Sequence, residues 1–568
     1  MVAPSVLDDE IPPVGGLPVE ILARIFTLIH EEPPEECSAI RVSHVCQHWR
    51  VVAISTSQLW TRISDRKGID MIKLQLERSD TAPLSVTFHR YFDADLKYYD
   101  KAILLLGELS RITSMELTFH PLDIEASPEQ VTHHEHRQRE MAYLLDVSPA
   151  PLLRNLQIAM PWMSIFRDTI PSPSIFASAT PPDLQHLEFY DCVIPMDLHL
   201  LNARLTHLEI HSCLGWTTMD QLLDMLARSP TLSIFVFSAI GLRHIREVRS
   251  RREDSGSVIL PNLKRLHLRE RTTFIADILR HLSFPSNVEM TIDAEEGIRP
   301  HPPPQEIADL LEAGLQPHFP PSFDNSGSSF ETWDIHDEDI DVCMFTISRP
   351  PDADGVSVNP SVLPNRFHLS LSGFRGADIE LHSLIPQVLA RLPGMTRLKT
   401  IIVNHTHAMS EAEHWRTPAA AWRDVETVSV GSRAVSGFVN ALNDETTVLF
   451  PKLTTLNIEG ADLCAGGNNT IGVSQSHSTT PIIDTLTAVL ARRQQPQFSP
   501  RIGLTISECD IAWEKVRTLS RIMKSIGSVA GVIWDGKPDA VTRENEASQE
   551  WLDIDEGDGD GLVTFTLM

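Results

Sequence analysis

Two stretches of the sequence hold metal-ligating side chains at close spacing. The run HHEH at residues 133–136 lies within the polar stretch SPEQVTHHEHRQRE, and DIDEGDGDG occupies residues 553–561. Imidazole nitrogens suit zinc, and closely spaced carboxylates suit calcium. The polar flanks of HHEH are typical of a solvated helix face, and the acidic run has Leu567 where a calcium loop needs its bidentate glutamate. We therefore expect no bound metal ion and no other cofactor.

Motifs that mark common catalytic sites are missing from the sequence. It holds no P-loop GxxxxGK(S/T), no GxGxxG after a strand, no HExxH and no GxSxG elbow. The cysteines lie far apart, without a CxxC pair, at Cys37, Cys46, Cys192, Cys213, Cys343, Cys464 and Cys509. This odd number and wide spacing favour reduced, mostly buried thiols over disulfides or zinc ligands. We expect a non-catalytic protein.

Composition and charge narrow the class of protein. The formal net charge is −28, from 76 acidic and 48 basic residues, which argues against a nucleic-acid binder because such proteins need a basic surface. The sequence contains no run of about 18 apolar residues, so we predict no membrane span. The N-terminal MVAPSVLDDEIPP lacks the basic and apolar regions of a signal peptide. We expect a soluble protein of the cytoplasm, the nucleus or both.

A chain of 568 residues is too long for one ordinary core, which predicts a small module joined to a larger one or to a repeat array. The small module lies at residues 17–63. After Pro18, apolar residues recur at helical spacing at Ile21, Leu22, Ile25, Phe26, Leu28 and Ile29. Two further short helices are predicted between the proline-rich run EEPPEE and the pair Leu59-Trp60. Three short helices cannot bury this much apolar surface alone, so the module either docks on a partner or caps the following domain.

A specific pattern of residues runs through this module. LPxEILxxIF begins at Leu17, VxxVCxxWR begins at Val42, and the phrase AISTSQLW ends at Trp60. With these residues the segment resembles the F-box family, and in particular the F-box proteins of mushroom-forming fungi. The resemblance covers about a tenth of the chain.

The F-box resemblance implies a binding mode and a set of partners. F-boxes dock on the Skp-type adaptor of a Skp–cullin–F-box ubiquitin ligase, mainly through apolar contacts, and reach the cullin and RING subunits through that adaptor. The residues that the resemblance places at this contact, or in the core that supports it, are Leu17, Pro18, Ile21, Leu22, Ile25, Phe26, Val42, Val45, Trp49, Leu59 and Trp60.

A second pattern recurs over the rest of the chain. LQHLEFYDCVI from Leu184 and LTHLEIHSC from Leu205 fit the leucine-rich-repeat pattern LxxLxLxx(N/C)xL, 21 residues apart. Further and weaker copies begin at Leu153, Leu263, Leu398, Val425, Leu453 and Leu504. Helix-like stretches lie between them, as in TMDQLLDMLAR from Thr218, which opens with a capping-box pattern. Strand followed by helix at this period predicts an irregular leucine-rich-repeat horseshoe, with parallel strands on its concave face and helices and loops outside.

Alternate residues of each predicted strand point to opposite faces. The leucines, Phe189 and the cysteines are expected in the core, where Cys192, Cys213 and Cys509 take a position that other repeats fill with asparagine. The candidate concave face, which would contact a protein target, comprises Gln185, His186, Glu188, Tyr190, Thr206, His207, Glu209 and His211.

These patterns predict an α/β chain in six segments. They are an F-box domain at 12–63, a linking strand and helix segment at 64–110, repeat regions at 111–296 and 365–540, a Pro-rich and acidic insertion or loop at 297–364, and an acidic tail at 541–568. The interruption at 297–364 is either a target-contacting insertion or a solvated connection.

The leading hypothesis for the function is a substrate-recognition adaptor of a ubiquitin ligase. The alternative is a leucine-rich-repeat scaffold that pairs with the Skp-type adaptor outside any ligase.

Overall fold

The structure of the protein is a computed structural model. It describes residues 17–31, 38–88, 97–118, 128–160, 171–216, 218–239, 258–285, 288–295, 304–318, 332–339, 342–348, 366–372, 398–404, 409–418, 422–432, 434–444, 448–464, 480–493, 502–511, 513–525 and 532–534. The chain divides into two compact units, the first within Met1–Thr217 and Asp224–Arg246, the second within Thr218–Leu223 and Glu247–Met568.

The first unit opens with a helical module. Its helices are α1 (Val19–Glu31), α2 (Ser38–Ser43) and α3 (Gln47–Ser55), followed by a 3-10 turn at Ser57–Trp60. Helix α1 begins directly after Pro18, which suits a first helical turn because its missing N–H needs no partner there. Cys46 caps α3, since its Sγ accepts a hydrogen bond from the backbone N–H of Trp49 at 3.4 Å.

A sheet of parallel strands follows the helical module. Its strands, in pairing order, are β1 (Arg62–Ser64), β2 (Leu84–Thr87), β3 (Ile112–Thr118), β4 (Asn155–Ala159), β5 (His186–Tyr190), β6 (His207–His211) and β7 (Ile234–Ser238). The helices of this part are α4 (Ile69–Ser79), α5 (Lys97–Leu106) and α6 (Pro128–Val147), with 3-10 turns at Leu109–Arg111, Ile175–Ser178 and His199–Asn202. Helix α7 (Met219–Ala227) carries residues of both units.

The register of these strands builds the core of the first unit. One buried row crosses β3 to β7 through Met115, Leu156, Leu187, Leu208 and Phe235, and a second row through Leu117, Ile158, Phe189, Ile210 and Phe237. A strand that is buried on one face alternates apolar and polar residues, which is why the pattern LxL recurs along the chain.

The second unit contains a mainly parallel sheet. Its strands, in pairing order, are β9 (Arg265–Glu270), β11 (Glu289–Glu295), β14 (Arg366–Ser372), β13 (Val342–Ser348), β12 (Thr332–Asp339), β15 (Thr400–Asn404), β16 (Thr427–Gly431), β17 (Thr455–Glu459), β18 (Gly503–Ser507) and β19 (Val532–Trp534). Strand β13 runs antiparallel to both neighbours. A separate parallel pair joins β8 (Val258–Ile259) to β10 (Leu282–Ser283).

The helices of the second unit are α8 (Thr272–His281), α9 (Pro304–Leu315), α10 (Ala412–Arg416), α11 (Ala434–Leu442), α12 (Ile482–Arg493) and α13 (Trp513–Ser525), with a 3-10 turn at Gln316–His318. Its core is built from buried rows across the strands, as in the first unit. A buried row crosses β15 to β18 through Ile401, Val428, Leu456 and Leu504.

The predicted mixed α/β chain with parallel strands and an N-terminal helical module is confirmed. All eight predicted copies of the repeated phrase coincide with strands, namely β4, β5, β6, β9, β15, β16, β17 and β18. The predicted capping box at Thr218 is present, because its Oγ1 accepts from the N–H of Gln221 at 3.4 Å and the Gln221 side chain accepts from the N–H of Thr218 at 3.3 Å.

Two predicted segments contain regular elements. The predicted linking strand and helix segment at 64–110 holds α4, β2 and α5, and β2 pairs with β1 and β3. In the segment 297–364, predicted as a Pro-rich and acidic insertion or loop, the described residues include α9, β12 and β13.

The same turn follows several of the strands. The residue directly after β5, β6, β16, β17 and β18 has φ between 46° and 60°, and these residues are Asp191, Ser212, Ser432, Gly460 and Glu508. This left-handed backbone turns the chain out of the sheet at the same point each time. The same turn therefore follows strands in both units.

Three cysteines follow this turn and are buried, as predicted, at Cys192, Cys213 and Cys509. Each sulfur lies among backbone groups of neighbouring strands. The Cys213 Sγ accepts from the Cys192 N–H at 3.4 Å, and the Cys509 Sγ accepts from the Ala461 N–H at 3.5 Å and lies 3.6 Å from the Ile458 carbonyl oxygen. By contrast Cys46 and Cys464 are exposed, so the expectation of mostly buried thiols does not extend to them.

Replacing Cys509 with alanine is expected to lower the free energy of unfolding of the second unit by about 1–3 kcal/mol, because the buried Ala461 N–H loses its acceptor. Asparagine has both a donor and an acceptor and should restore most of the loss. Amide hydrogen exchange of β17 and β18 measures the effect. The exposed Cys464→Ala variant is the control, and a Cys509→Asn variant no more stable than Cys509→Ala would contradict the prediction.

The predicted helix face that holds HHEH lies on α6, where His133 and His136 are exposed and Glu135 pairs with Arg139 at 3.0 Å. The acidic run at 553–561 and the tail segment 541–568 lie outside the described residues.

Among helices in the described ranges, none has both the length and the apolar character required to cross a membrane.

Candidate functional site

The helical module has a compact core of its own. It consists of Leu22, Phe26, Ala39, Val42, Val52, Ala53, Leu59 and Trp60, all at most 7% exposed. The indole N–H of Trp60 donates to the Ala53 carbonyl at 2.8 Å, and the Phe26 ring packs against the half-buried Trp49 with centroids 4.9 Å apart. Of the residues predicted at the adaptor contact, Leu22, Phe26, Val42, Leu59 and Trp60 therefore lie in the core that supports it.

Helix α4 completes this core from outside the predicted F-box boundary. Met71 packs against the cluster, and the Arg78 guanidinium lies 4.4 Å from the centroid of the Trp60 ring. A cation over an indole face contributes about 0.5–1 kcal/mol at an exposed site. The module is thus stabilised by the first helix of the segment that follows it.

The module also exposes apolar side chains. In the described part of the chain, nine of the fourteen exposed large hydrophobic residues belong to this module. We call them the outer face: Leu17, Val19, Ile21, Ile25, Leu28, Ile29, Val45, Val51 and Ile54. Ile21, Ile25 and Leu28 follow one another at the spacing of a single face of α1. Of the predicted contact residues, Leu17, Ile21, Ile25 and Val45 lie on the outer face, and Pro18 is also exposed.

The outer face is a favourable surface for association. Complete burial of a fully exposed valine, leucine or isoleucine side chain contributes about 1.5–3 kcal/mol, and each of these side chains, 36–61% exposed, would gain part of that on association. The contact set predicted from the sequence did not include five outer-face residues, Val19, Leu28, Ile29, Val51 and Ile54. The signal for Val51 was its position three residues before Ile54 on α3, which places both on one side of that helix.

A second candidate site lies on the polar face of β5 and β6. The two strands pair in register, so His186 lies beside His207, Glu188 beside Glu209, and Tyr190 beside His211. These six predicted concave-face residues share one face, opposite the buried core rows. Gln185 and Thr206, also predicted there, precede the strands, where the Thr206 hydroxyl donates to the Gln185 carbonyl at 3.3 Å.

Hydrogen bonds join this face into one cluster around Glu209. Its Oε1 lies 2.7 Å from His207 Nε2, and its Oε2 lies 3.0 Å from His211 Nε2. The Tyr190 hydroxyl donates to Glu188 at 3.3 Å and approaches Glu209 at 3.4 Å, and its ring stacks on His211 with centroids 4.5 Å apart. The cluster is half-buried, and its hydrogen bonds and the stacked rings join side chains of both strands.

The electrostatics of the two glutamates differ. Hydrogen bonds from His207 and then His211 hold the pKa of Glu209 well below its ordinary value. Burial, followed by the nearby charge of Glu209, raises the pKa of Glu188. Burial raises the pKa of Tyr190 and lowers that of His186. The face therefore presents one firmly ionised carboxylate beside a second whose charge is disfavoured.

Comparison with known proteins bears on the helical module. The chain matches no curated protein. Residues 14–66 match the F-box-like family, a range that contains α1, α2, α3, the 3-10 turn and β1. The chain therefore carries an F-box-like domain at residues 14–66.

Proposed function

We propose that this protein is the substrate-recognition subunit of a Skp–cullin–F-box ubiquitin ligase. The F-box-like domain implies a Skp-type adaptor as its partner. The observation that carries the proposal is the division of that domain into a buried core and an outer face of exposed apolar side chains. An adaptor that buries this outer face would gain binding energy without unfolding the module.

We propose further that the parallel strands of both units are leucine-rich repeats whose exposed strand faces bind a protein target. Support comes from the coincidence of the repeated phrase with strands, from the recurring turn and from the buried cysteines that follow it. Holding a target near a recruited conjugating enzyme raises its effective concentration, so this chain needs no catalytic side chain. The same proposal includes the six-segment division of the chain and a place of action in the cytoplasm, the nucleus or both.

The adaptor contact is tested by Ile21→Gln/Ile25→Gln. These side chains are 50% and 38% exposed, so the change removes apolar outer-face area and leaves the core intact. Loss of interface anchors costs about 2 kcal/mol or more, which corresponds to binding of a purified Skp-type adaptor that is weaker by about 30-fold or more. Titration of full-length protein with the adaptor measures this.

Ile259→Gln is the matched control, because Ile259 is 64% exposed but lies in the second unit. It should bind the adaptor like the wild type. Wild-type protein that fails to bind under conditions where another F-box protein does would overturn the proposal. If the adaptor binds, recovery of cullin and RING subunits supports the ligase, and their consistent absence supports the scaffold alternative.

A further inference from the structure

The polar face of β5 and β6 brings together three side chains that suit a metal ion. One ligand atom each of Glu188, His207 and Glu209 lies within 4.8 Å of the other two, and among the described residues only this trio does so. We propose that these three residues bind one divalent transition-metal ion of the zinc type. The proposal is separate from the adaptor proposal, which concerns the helical module.

The strands already hold the ligands close to a binding arrangement. Glu188 and Glu209 are direct neighbours across β5 and β6, and His207 stands two residues before Glu209 on the same face. Zinc bonds of about 2.0–2.2 Å to nitrogen and oxygen require ligand atoms about 3.3 Å apart in tetrahedral geometry. Their present spacing of at most 4.8 Å exceeds that distance by about 1.5 Å, so metal binding needs a small adjustment of the side chains.

Neighbouring residues supply the outer support that metal sites need. Ligating carboxylates are themselves hydrogen-bonded in such sites, which fixes their orientation. Here His211 Nε2 lies 3.0 Å from Glu209 Oε2, and the Tyr190 hydroxyl donates to Glu188. Three protein ligands leave the fourth tetrahedral position open for water or for a group from a bound partner.

The pairing of two carboxylates argues for a cation at this point. Like charges directly opposite each other on adjacent strands destabilise a sheet, and a bound divalent ion would offset that repulsion. A lysine or arginine from a target would interact with the carboxylates but gain little from the ring nitrogen of His207. A transition metal uses both donor types, and mixed nitrogen and oxygen ligands favour zinc, nickel, copper and cobalt over magnesium and calcium.

The test is calorimetric titration of tag-free, full-length protein with Zn²⁺, and with Mg²⁺ for comparison. The Glu188→Gln/His207→Gln variant should bind one zinc ion fewer than the wild type, and Glu188→Gln alone should bind that ion at least tenfold more weakly. The matched control is His267→Gln. His267 Nε2 lies 2.7 Å from Asp293 Oδ2, and the two residues are on adjacent strands. The substitution therefore breaks an equally close histidine–carboxylate pair, which is not part of any group of three metal-ligating side chains among the described residues.

Thermal unfolding separates loss of metal binding from loss of structure. Glu188→Gln removes the repulsion by Glu209 and keeps an acceptor for Tyr190, so the metal-free Tm should not fall. Zinc should raise the Tm of the wild type and of His267→Gln, and raise it less in Glu188→Gln, because a ligand stabilises only the state that binds it. Equal zinc binding and equal Tm shifts in all variants would overturn the proposal. Wild-type protein that binds a basic peptide but does not bind zinc would overturn it as well.

Discussion

Replacing Phe26 with alanine is expected to lower the free energy of unfolding of the F-box-like domain by about 3–5 kcal/mol. Phe26 lies on α1, is fully buried and packs against Trp49 of α3. Removing its ring loses apolar burial and leaves a cavity that a domain this small cannot refill. Hydrogen exchange of the α1 and α3 amides measures the effect locally, which matters because the chain has two compact units.

The adjacent residue provides the control for this prediction. Ile25 is exposed on the outer face, so Ile25→Ala should change stability by no more than about 0.5 kcal/mol. The same change should weaken binding of the Skp-type adaptor, since it removes a contact that the folded domain does not use. Equal destabilisation by the two substitutions would show that the division into core and outer face is wrong.

Helical periodicity alone does not predict the division of this domain into a core and an outer face. The pattern correctly places a helix after Pro18, with apolar residues from Ile21 to Ile29. Leu22 and Ile21 are only about 100° apart around the helix, and both belong to the same wide apolar arc. Which side of that arc faces the core depends on α2, α3 and α4, and therefore on contacts that no local pattern contains.

Most of the predicted strands carry leucine, isoleucine or valine in the repeated pattern, and two strands with phenylalanine or methionine in it were missed. Strand β7 has Leu232, Phe235 and Phe237 at the same spacing, and β3 has Ile112, Met115 and Leu117. The core requires volume and burial at these positions, which phenylalanine and methionine supply equally well. The antiparallel direction of β13 was beyond prediction, because alternation of residues is the same in either direction.

The candidate metal site shows why close spacing in sequence is a poor guide to a ligand cluster. The sequence led to an expectation of no metal, since the one histidine cluster, at 133–136, lies on a solvated helix. The proposed ligands Glu188 and Glu209 are 21 residues apart and meet only because β5 and β6 pair without a shift in register. Register depends on the buried rows, so the core determines which polar side chains become neighbours.

Replacing Phe189 with alanine is accordingly expected to lower the free energy of unfolding of the first unit by about 3–5 kcal/mol. Phe189 is fully buried, and its row neighbours are Ile158 on β4 and Ile210 on β6. Loss of the ring leaves a cavity between rows whose packing sets the register of β5. Hydrogen exchange of the β4, β5 and β6 amides measures the change.

Tyr190→Phe tests the other face of the same strand. It removes hydrogen bonds of 3.3 and 3.4 Å to two glutamates but keeps the ring that stacks on His211. Bonds this long on a half-buried hydroxyl contribute little, so we expect a loss of no more than about 1 kcal/mol. A loss comparable to that of Phe189→Ala would mean that Tyr190 is part of the core. The polar face would then be structural, and its side chains would not be free to bind either a target or an ion.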